Sequence, residues 1–429
     1  MNRFYRSIKL YGVLAVYLAF SACTKDSFDY SILKGADLKI DSVVFSAGSA
    51  SLIADGSSEL NFIIKAYSKL RVTINGVQTD SMVLIPDDRI ADEQIKVYDN
   101  SGAEVGRSFS TSTATPSVRS FYAKVAGVQS SAQSVIIKTP GATYSKLVIP
   151  VVFHVFELAK TDAKRYSWYA ELQQVKLEEL VNGLNVIFNR LGTHAPTGAN
   201  ANVEFVLATT SPDGKTLDMP GHNTFAYAST FNWGWASANA ATLIKNNAAT
   251  LLWNPEKYLN VWVLPSAVFY GGLTVNRPAY TLSSTGLDGL NLQHVAAASE
   301  VPLTEPENVG LMLGRDEFNS VLRGPAPNLA YKFGTFYGLF QTYTYPWDPG
   351  MTDYCNDTQK FPISQFRDVY KKTSDGILFQ AENIMDATYI DWNIEGGANL
   401  VSRVNTLTAE QVKRVRYVLE NCPERMAWQ

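Results

Sequence analysis

Alternating apolar and polar residues dominate the first third of the chain and predict short β-strands. Apolar residues alternate with polar ones from Leu60 to Ala66, apart from Ile63. Turn residues recur about every 8 to 12 positions, and the dipeptide Asn75-Gly76 after an apolar run is typical of a tight hairpin. Because no helical period interrupts this pattern, it predicts a β-sandwich over residues 37–142.

The rest of the chain, residues 143–429, has the pattern of a mixed α/β domain. Thr139-Pro140-Gly141 ends the strand pattern, and the near-continuous apolar run from Leu147 to Phe156 predicts a buried strand. Apolar residues then recur at helical spacing over 172–188. Further strands are predicted at 203–208 and 259–264, and further helices at 329–340 and 408–421. The predicted fold class of the whole chain is therefore α+β.

The N-terminus has the pattern of an export signal. Three basic residues precede an apolar run of 13 residues from Leu10 to Ala22. A helix that crosses a bilayer needs about 20 residues, so this run is too short to span and instead fits the apolar core of a signal peptide over residues 1–22.

The end of that run resembles a lipobox, the motif in which a cysteine is diacylated and becomes the new N-terminus. Small residues precede the cysteine in Phe20-Ser21-Ala22-Cys23, although Phe20 departs from the usual aliphatic residue. The resemblance implies lipidation of Cys23, a tether over residues 23–36, and attachment to the outer membrane or cell surface through the lipid. An ordinary secretory signal followed by a chance cysteine is the alternative.

The charge balance of the chain argues against a nucleic-acid partner. The chain carries 37 basic and 40 acidic side chains, which gives no sign of the concentrated basic surface that a nucleic-acid partner requires.

With Cys23 assigned to lipid, two cysteines remain, Cys355 and Cys422. An oxidising compartment predicts a disulfide between them, and a free buried pair is the alternative.

The sandwich region carries one resemblance of its own. The segment Ser51-Leu-Ile-Ala-Asp-Gly-Ser-Ser resembles the strand and turn of bacterial immunoglobulin-like repeats. This likeness implies an immunoglobulin-like module, which usually spaces or presents a second domain. No catalytic constellation is recognisable within it.

The second half resembles the pappalysin/cytophagalysin group of metzincin zinc proteases, especially their lipoprotein members in Bacteroidetes. The likeness covers about residues 145–429 and rests on five segments in the family's order. The segments are Ile149-Pro-Val-Val-Phe-His-Val, Tyr258-Leu-Asn-Val-Trp-Val, Asp353-Tyr-Cys-Asn-Asp-Thr, Asn383-Ile-Met-Asp and Thr408-Ala-Glu-Gln-Val-Lys-Arg-Val-Arg. Asn383-Ile-Met-Asp matches the family's methionine turn, which places Met385 beneath the metal.

The family's zinc signature, HExxHxxGxxH, is degenerate in this chain. Tyr331, Thr335 and Gln341 stand where the three zinc-binding histidines belong, and Lys332 stands in place of the catalytic glutamate. Gly338 is retained where the helix is expected to end. The resemblance therefore implies a protease scaffold without its metal ligands, that is, a pseudoprotease.

Helical geometry explains the two sets of positions in this segment. Leu329, Phe333, Phe336 and Phe340 fall on one stripe that is expected to be buried. Tyr331 and Thr335 lie four residues apart on the opposite face, where two ligands could share one metal. A threonine hydroxyl and a glutamine amide are weak neutral donors for zinc, and a tyrosine must first lose a proton with an ordinary pKa of about 10. The sequence thus predicts no bound zinc and no catalytic residue.

The other polar residues give weaker signals. His154 lies in the apolar strand and is expected to be a satisfied core residue, while His194, His222 and His294 have no metal-binding partner at suitable spacing. Loop carboxylates are usually just solvated, but four could contribute to a calcium site such as some relatives have: Asp348, Asp353, Asp357 and Asp386.

The preferred hypothesis is a surface lipoprotein whose inactive metzincin-like domain binds peptide, protein or glycan in the residual cleft. Possible contact aromatics are Trp262, Phe231-Asn-Trp-Gly-Trp and Tyr345-Pro-Trp, although structural roles are expected for each. An active zinc endopeptidase, which would need zinc as its cofactor, is one alternative. A structural or adhesin protein with an occluded cleft, filled for instance by Tyr331 and Tyr337, is another.

Overall fold

The computed structural model describes most of the chain beyond the first 38 residues. The described residues are 39–74, 77–163, 165, 171–228, 230–231, 237–265, 275–315, 327–366, 368–386 and 405–428. The predicted signal peptide, the lipidation site Cys23, the tether and the Asn75-Gly76 turn lie outside them. Within these ranges no helix combines the length and the apolar character needed to cross a membrane.

The first half of the described chain forms two sheets around one apolar core. One sheet has the order β1-β4-β5, and the other has the order β2-β11-β9-β6-β7, with β10 beside β9 and a small β3-β8 pair outside both. Residues from both sheets, such as Phe45 and Phe121, meet in the core. The strands are β1 (Ser42–Ser46), β2 (Ser51–Ile53), β3 (Leu60–Asn61), β4 (Ile63–Ile74), β5 (Val77–Leu84), β6 (Ile95–Asp99), β7 (Glu104–Val105), β8 (Ser108–Phe109), β9 (Ser117–Val125), β10 (Val128–Gln129) and β11 (Gln133–Lys138).

The second half is mixed α/β. Its strands are β12 (Leu147–Leu158), β13 (Val203–Leu207), β14 (His222–Tyr227), β15 (Leu259–Leu264), β16 (Tyr280–Thr281), β17 (Gln293–His294), β18 (Gly310–Gly314), β19 (Tyr343–Thr344), β20 (Phe361–Pro362), β21 (Tyr370–Lys372) and β22 (Leu378–Gln380). Its α-helices are α1 (Gln174–Phe188), α2 (Ser237–Asn246), α3 (Ala248–Leu251), α4 (Pro306–Val309), α5 (Pro327–Phe336) and α6 (Ala409–Asn421). The predicted long strand and the predicted helices over 172–188 and 408–421 are thereby confirmed.

A parallel sheet of order β13-β12-β15-β18 lies at the centre of this half, and β14 pairs with the second part of β12. Its strands are apolar on both faces because helices cover both. Val151, Val261 and Leu313 face a core that includes residues of α1, α5 and α6. Phe156 and Trp262 point to the other face, against residues of α2 and α3. The helix α5 is therefore fixed against one face of the sheet.

The two halves are joined by polar contacts as well as by the linker between them. The guanidinium of Arg190 donates to the Asp55 carboxylate at 2.5 Å and to the Ser58 hydroxyl at 2.8 Å. His194 Nδ1 lies 2.9 Å from the Ser57 carbonyl, which adds a second contact across the same boundary. Burial raises the pKa of Asp55, but hydrogen bonds from Ser58 and Arg190 outweigh it and hold this pKa at about 2.

We expect Arg190→Ala to lower the free energy of unfolding by about 2 kcal/mol, because the variant leaves Asp55 without its charged partner. The pKa of Asp55 is depressed in the folded state, so this stabilisation is complete above about pH 4 and is lost as the pH falls towards 2. Chemical denaturation of the chain lacking residues 1–23, at pH 7 and pH 3, measures both effects.

The control is Lys96→Ala, which removes an ion pair with Glu104 whose two side chains are about half exposed. That change should cost at most about 0.5 kcal/mol. Equal losses from the two variants would contradict a stabilising contact between the two halves.

Candidate functional site

The helix α5 carries the degenerate signature and is anchored by its apolar stripe. Leu329, Phe333 and Phe336 are buried, as predicted, whereas Phe340 lies beyond the helix. The predicted helix over 329–340 is thus too long, since α5 ends at Phe336. Gly338 follows with a φ of +84°, a conformation that favours glycine.

Two backbone hydrogen bonds close the end of α5. Leu339 N donates to the Gly334 carbonyl at 2.9 Å, and Gly338 N donates to the Thr335 carbonyl at 3.0 Å. This pair of bonds is the Schellman arrangement, which requires the left-handed residue that Gly338 supplies. The predicted turn at Gly338 is confirmed, and it brings the chain back over the helix.

Met385 lies directly against α5. A Cβ atom added at Gly334 would be 2.7 Å from Met385 Sδ, so the helix and the Met385 turn approach as closely as a glycine permits. Met385 is fully buried, and its carbonyl accepts hydrogen bonds from the nitrogen and the hydroxyl of Thr342, both at 3.2 Å. The turn is thus tied to the segment that follows Gln341.

The side chains at the degenerate positions have other partners in the protein. The hydroxyl of the buried Thr335 donates to the Tyr331 carbonyl one turn earlier, at 3.0 Å. Gln341 Nε2 lies 3.6 Å from Met351 Sδ. Tyr331 is largely buried, which raises the pKa of its phenol, and its hydroxyl shares a hydrogen bond with Tyr343. A phenol with a raised pKa is a poorer source of the phenolate that could bind a metal.

An aromatic and cationic cluster surrounds Tyr331. Tyr343 also shares a hydrogen bond with Tyr345, and their rings are 5.5 Å apart. Arg277 interacts electrostatically with Tyr331, and its guanidinium carbon lies 3.9 Å from the ring centre of Phe340. Arg277 and Tyr343 were not predicted to belong to this site, whereas Tyr345 was among the possible contact aromatics. The sequence Tyr343-Thr-Tyr345 contained a signal for the two phenols, because residues two apart in a strand project from the same face of that strand.

The donor set at this site does not fit zinc. Zinc sites in proteins use nitrogen, thiolate or carboxylate ligands, and Tyr331, Thr335 and Gln341 supply none of these. Lys332 and Arg277 add positive charge near the same helix, and like charges repel a dication. Across the described residues, no three His, Cys, Asp or Glu side chains could together hold a metal ion.

His154 is a structural residue of the core. Its Nε2 lies 2.9 Å from Asn260 Oδ1, and its Nδ1 lies 2.8 Å from Asn223 Nδ2, so both ring nitrogens are satisfied. Burial lowers the pKa of His154 to about 4, although the bond to Asn260 opposes this shift. The imidazole is therefore neutral at pH 7, and the prediction of a satisfied core histidine is confirmed.

The remaining predicted positions do not join the site. His194 lies at the boundary between the halves, His222 begins β14, and His294 is exposed in β17. Trp262 is fully buried and donates from Nε1 to the Leu251 carbonyl at 2.7 Å, so its role is structural. In Phe231-Asn-Trp-Gly-Trp, the residues after Phe231 lie outside the described ranges.

Three of the four aspartates that could have contributed to a calcium site accept hydrogen bonds from neighbouring residues. Asp353 accepts from the Thr358 hydroxyl at 2.7 Å, Asp386 accepts from the Thr342 hydroxyl at 2.7 Å, and Asp357 accepts from the Glu410 nitrogen at 3.0 Å. Asp348 is exposed in a turn. Burial raises the pKa of the first three, that of Asp386 to about 6.

The predicted disulfide is wrong in this structure, since Cys355 and Cys422 are free, buried thiols. The segment after Cys355 contacts Glu410 in the first turn of α6, whereas Cys422 follows the last turn. The helical rise of about 1.5 Å per residue separates Glu410 and Cys422 by about 18 Å. Disulfides join Cα atoms about 4.4–6.8 Å apart, so pairing would require a different arrangement of this helix.

Comparison with solved structures finds mirolysin of Tannerella forsythia. Mature mirolysin in complex with a cleaved peptide is 22% identical, with a TM-score of 0.42, and the match covers 66% of this chain and 96% of that one. A promirolysin mutant (20% identity, TM-score 0.36) and mirolysin in complex with a small compound (20%, 0.38) each match 66% of this chain, covering 85% and 96% of their own. No protein-family model and no curated protein matches the chain.

Gly334→Ala tests the contact between α5 and Met385. Alanine normally stabilises a helix relative to glycine by about 1 kcal/mol, but the added methyl group would overlap Met385 Sδ. We therefore expect a net loss of about 1–3 kcal/mol in the free energy of unfolding. The loss should shrink when Gly334→Ala is made in a Met385→Ala background.

The matched control is Gly286→Ala, because a Cβ atom there meets nothing within 4 Å. Denaturation curves of the wild type, of Gly334→Ala, of Met385→Ala and of the double variant give the coupling free energy between Gly334 and Met385. Additive losses would contradict the contact.

A thiol titration tests the state of the cysteines. In the chain lacking residues 1–23, purified without reductant, we expect a thiol reagent to label Cys355 and Cys422 slowly in the native state because both are buried. Unfolding in guanidinium should release two reactive thiols per chain, and Cys355→Ser should leave one. A wild-type chain that shows none after unfolding would restore the disulfide.

Proposed function

We propose that this protein is a lipid-anchored surface protein whose second half is a catalytically inactive, metzincin-like domain with a binding role. The anchor is supported by the apolar run that ends at Cys23, and the metzincin-like character by the five ordered segments. The outer membrane or cell surface is the proposed location. Catalytic inactivity is supported by the side chains that α5 carries at the positions of the zinc signature.

One observation carries the proposal: the hydroxyl groups of Tyr331 and Thr335 on α5 already have hydrogen-bond partners within the protein. The Thr335 hydroxyl bonds to its own helix, and the Tyr331 phenol shares its hydrogen bond with Tyr343. A metal at this position would have to displace both bonds and remove a proton from a buried phenol. Each step costs free energy that neutral oxygen donors do not return.

The general base is missing as well. Hydrolysis by a zinc-bound water requires a group that accepts its proton, and position 332 holds a lysine where the family signature has its glutamate. The neighbouring Arg277 adds a second cation beside Tyr331. The electrostatics of the helix face therefore favour an anionic or neutral polar ligand over a metal ion.

A binding role is preferred to a purely structural one because the cluster above α5 reaches the protein surface. Tyr343 and Tyr345 are only partly buried, and the row of rings continues from Tyr345 to an exposed tryptophan, Trp347. Tyr337, which was considered as a plug for the cleft, is instead buried in the core next to Phe336 and so fills no surface groove.

Metal content and hydrolysis together test inactivity. The chain lacking residues 1–23, supplied with zinc and then desalted, should retain far less than one zinc per molecule and should not cleave a denatured protein substrate. One retained zinc per chain, with cleavage that a chelator blocks, would instead establish an active endopeptidase.

A restored variant tests whether the backbone is a metal cradle. Tyr331→His, Lys332→Glu, Thr335→His and Gln341→His combined should bind one zinc per chain, because Gly338 returns the chain over the helix. Tyr331→His with Thr335→His alone supplies two ligands and should bind more weakly. A folded four-site variant that binds no zinc would count against the metzincin-like arrangement.

A further inference from the structure

Trp347 is the most exposed large hydrophobic residue among those described, with 79% of its surface in contact with solvent. Its indole stacks on the Tyr345 ring, with centroids 4.6 Å apart and planes inclined by 16°. Tyr345 covers one side of the indole, so the opposite side is an open flat surface.

The backbone holds this indole in a defined position. Tyr345, Pro346, Trp347 and Asp348 form a β-turn closed by the Asp348 nitrogen, which donates to the Tyr345 carbonyl at 3.0 Å. Proline at the second position presets the turn. Binding would therefore order little that is not already ordered, which reduces its entropic cost.

The stacked pair of Trp347 and Tyr345 is also connected to the helix α5. Tyr345 lies 5.5 Å from Tyr343, which shares a hydrogen bond with Tyr331 on α5. A continuous row of side chains thus runs from the site of the lost signature to the surface. Fold stability does not require the indole at its end, because that indole packs on a single ring and is otherwise in water.

An exposed carboxylate follows the indole in the turn. Asp348 is the last residue of the turn, and its side chain is solvent-exposed. A carboxylate accepts two or more hydrogen bonds from hydroxyl donors. The apolar C–H face of a sugar ring stacks on an aromatic plane, and the sugar's hydroxyl groups point outward from its edge, so a saccharide offers a chemical partner to each of the two groups.

We propose that Trp347 and Asp348 form a binding site for a neutral saccharide, with Tyr345 supporting the indole. This inference names the ligand class for the binding role proposed above and rests on that role. A peptide side chain would be expected to use a concave apolar pocket, whereas this site is the tip of a turn. Insertion into a bilayer would carry the Asp348 carboxylate with the indole, at a high desolvation cost.

The test is retardation of the chain lacking residues 1–23 in native gels that contain a soluble polysaccharide. The probes are a mixed-linkage β-glucan, a galactomannan, an α-glucan and the acidic polygalacturonate. We expect retardation by at least one neutral polymer and none by polygalacturonate, which Asp348 repels. Trp347→Ala should weaken the retardation about tenfold, Trp347→Phe less, and Asp348→Asn by an intermediate amount.

The control is Tyr370→Ala, which removes another exposed aromatic ring, 48% exposed, from β21 of the same half. It should leave retardation unchanged. Equal retardation of wild type and Trp347→Ala, retardation by polygalacturonate alone, or none with any polymer would overturn the saccharide site. So would binding to denatured casein that Trp347→Ala abolishes, which would identify a peptide ligand.

These failures are distinguishable from failure of the proposed function. A chain that binds no zinc and cleaves no protein, but is not retarded by any polymer, would remove the saccharide site and leave the inactive domain intact. A chain that binds zinc and cleaves protein would remove the inactive domain whatever its behaviour in the gels.

Discussion

The contact between Gly334 and Met385 fixes the geometry on which the rest of the site depends. Only a hydrogen atom fits between the helix and the Met385 sulfur at that point. The apolar stripe of α5 holds the helix against the central sheet from one side, and the Met385 turn supports it at Gly334. With the helix fixed and Gly338 turning the chain back, the outward side chains have defined positions whatever their chemistry.

The side chains around α5 form hydrogen bonds and aromatic contacts within the protein. The Thr335 hydroxyl bonds to the Tyr331 carbonyl, Gln341 lies against Met351, and the Tyr331 phenol interacts with Tyr343. Burial raises the pKa of Tyr331 and of Tyr343, which keeps both phenols protonated and able to donate. The cluster extends from Tyr331 through Tyr343 and Tyr345 to the exposed Trp347.

Much of the fold could be predicted from the sequence, because a hydrophobic pattern that continues over many residues identifies a long strand or helix. The strand from Leu147 and the helix that ends near Asn421 are present where the pattern places them. The helix at 329–340 was predicted too long because its apolar stripe continues to Phe340, past the turn that Gly338 forms. Arg277 and the separation of Cys355 from Cys422 depend on contacts between distant segments, which no local pattern encodes.

Anomalous X-ray diffraction at the zinc edge tests directly whether the side chains around α5 bind zinc. The crystals are of the chain lacking residues 1–23, grown with excess zinc. We expect no anomalous peak above α5, and electron density in which the Tyr331 hydroxyl contacts Tyr343. A peak about 2.0–2.3 Å from side-chain donors at or around Tyr331, Thr335 and Gln341 would contradict this expectation.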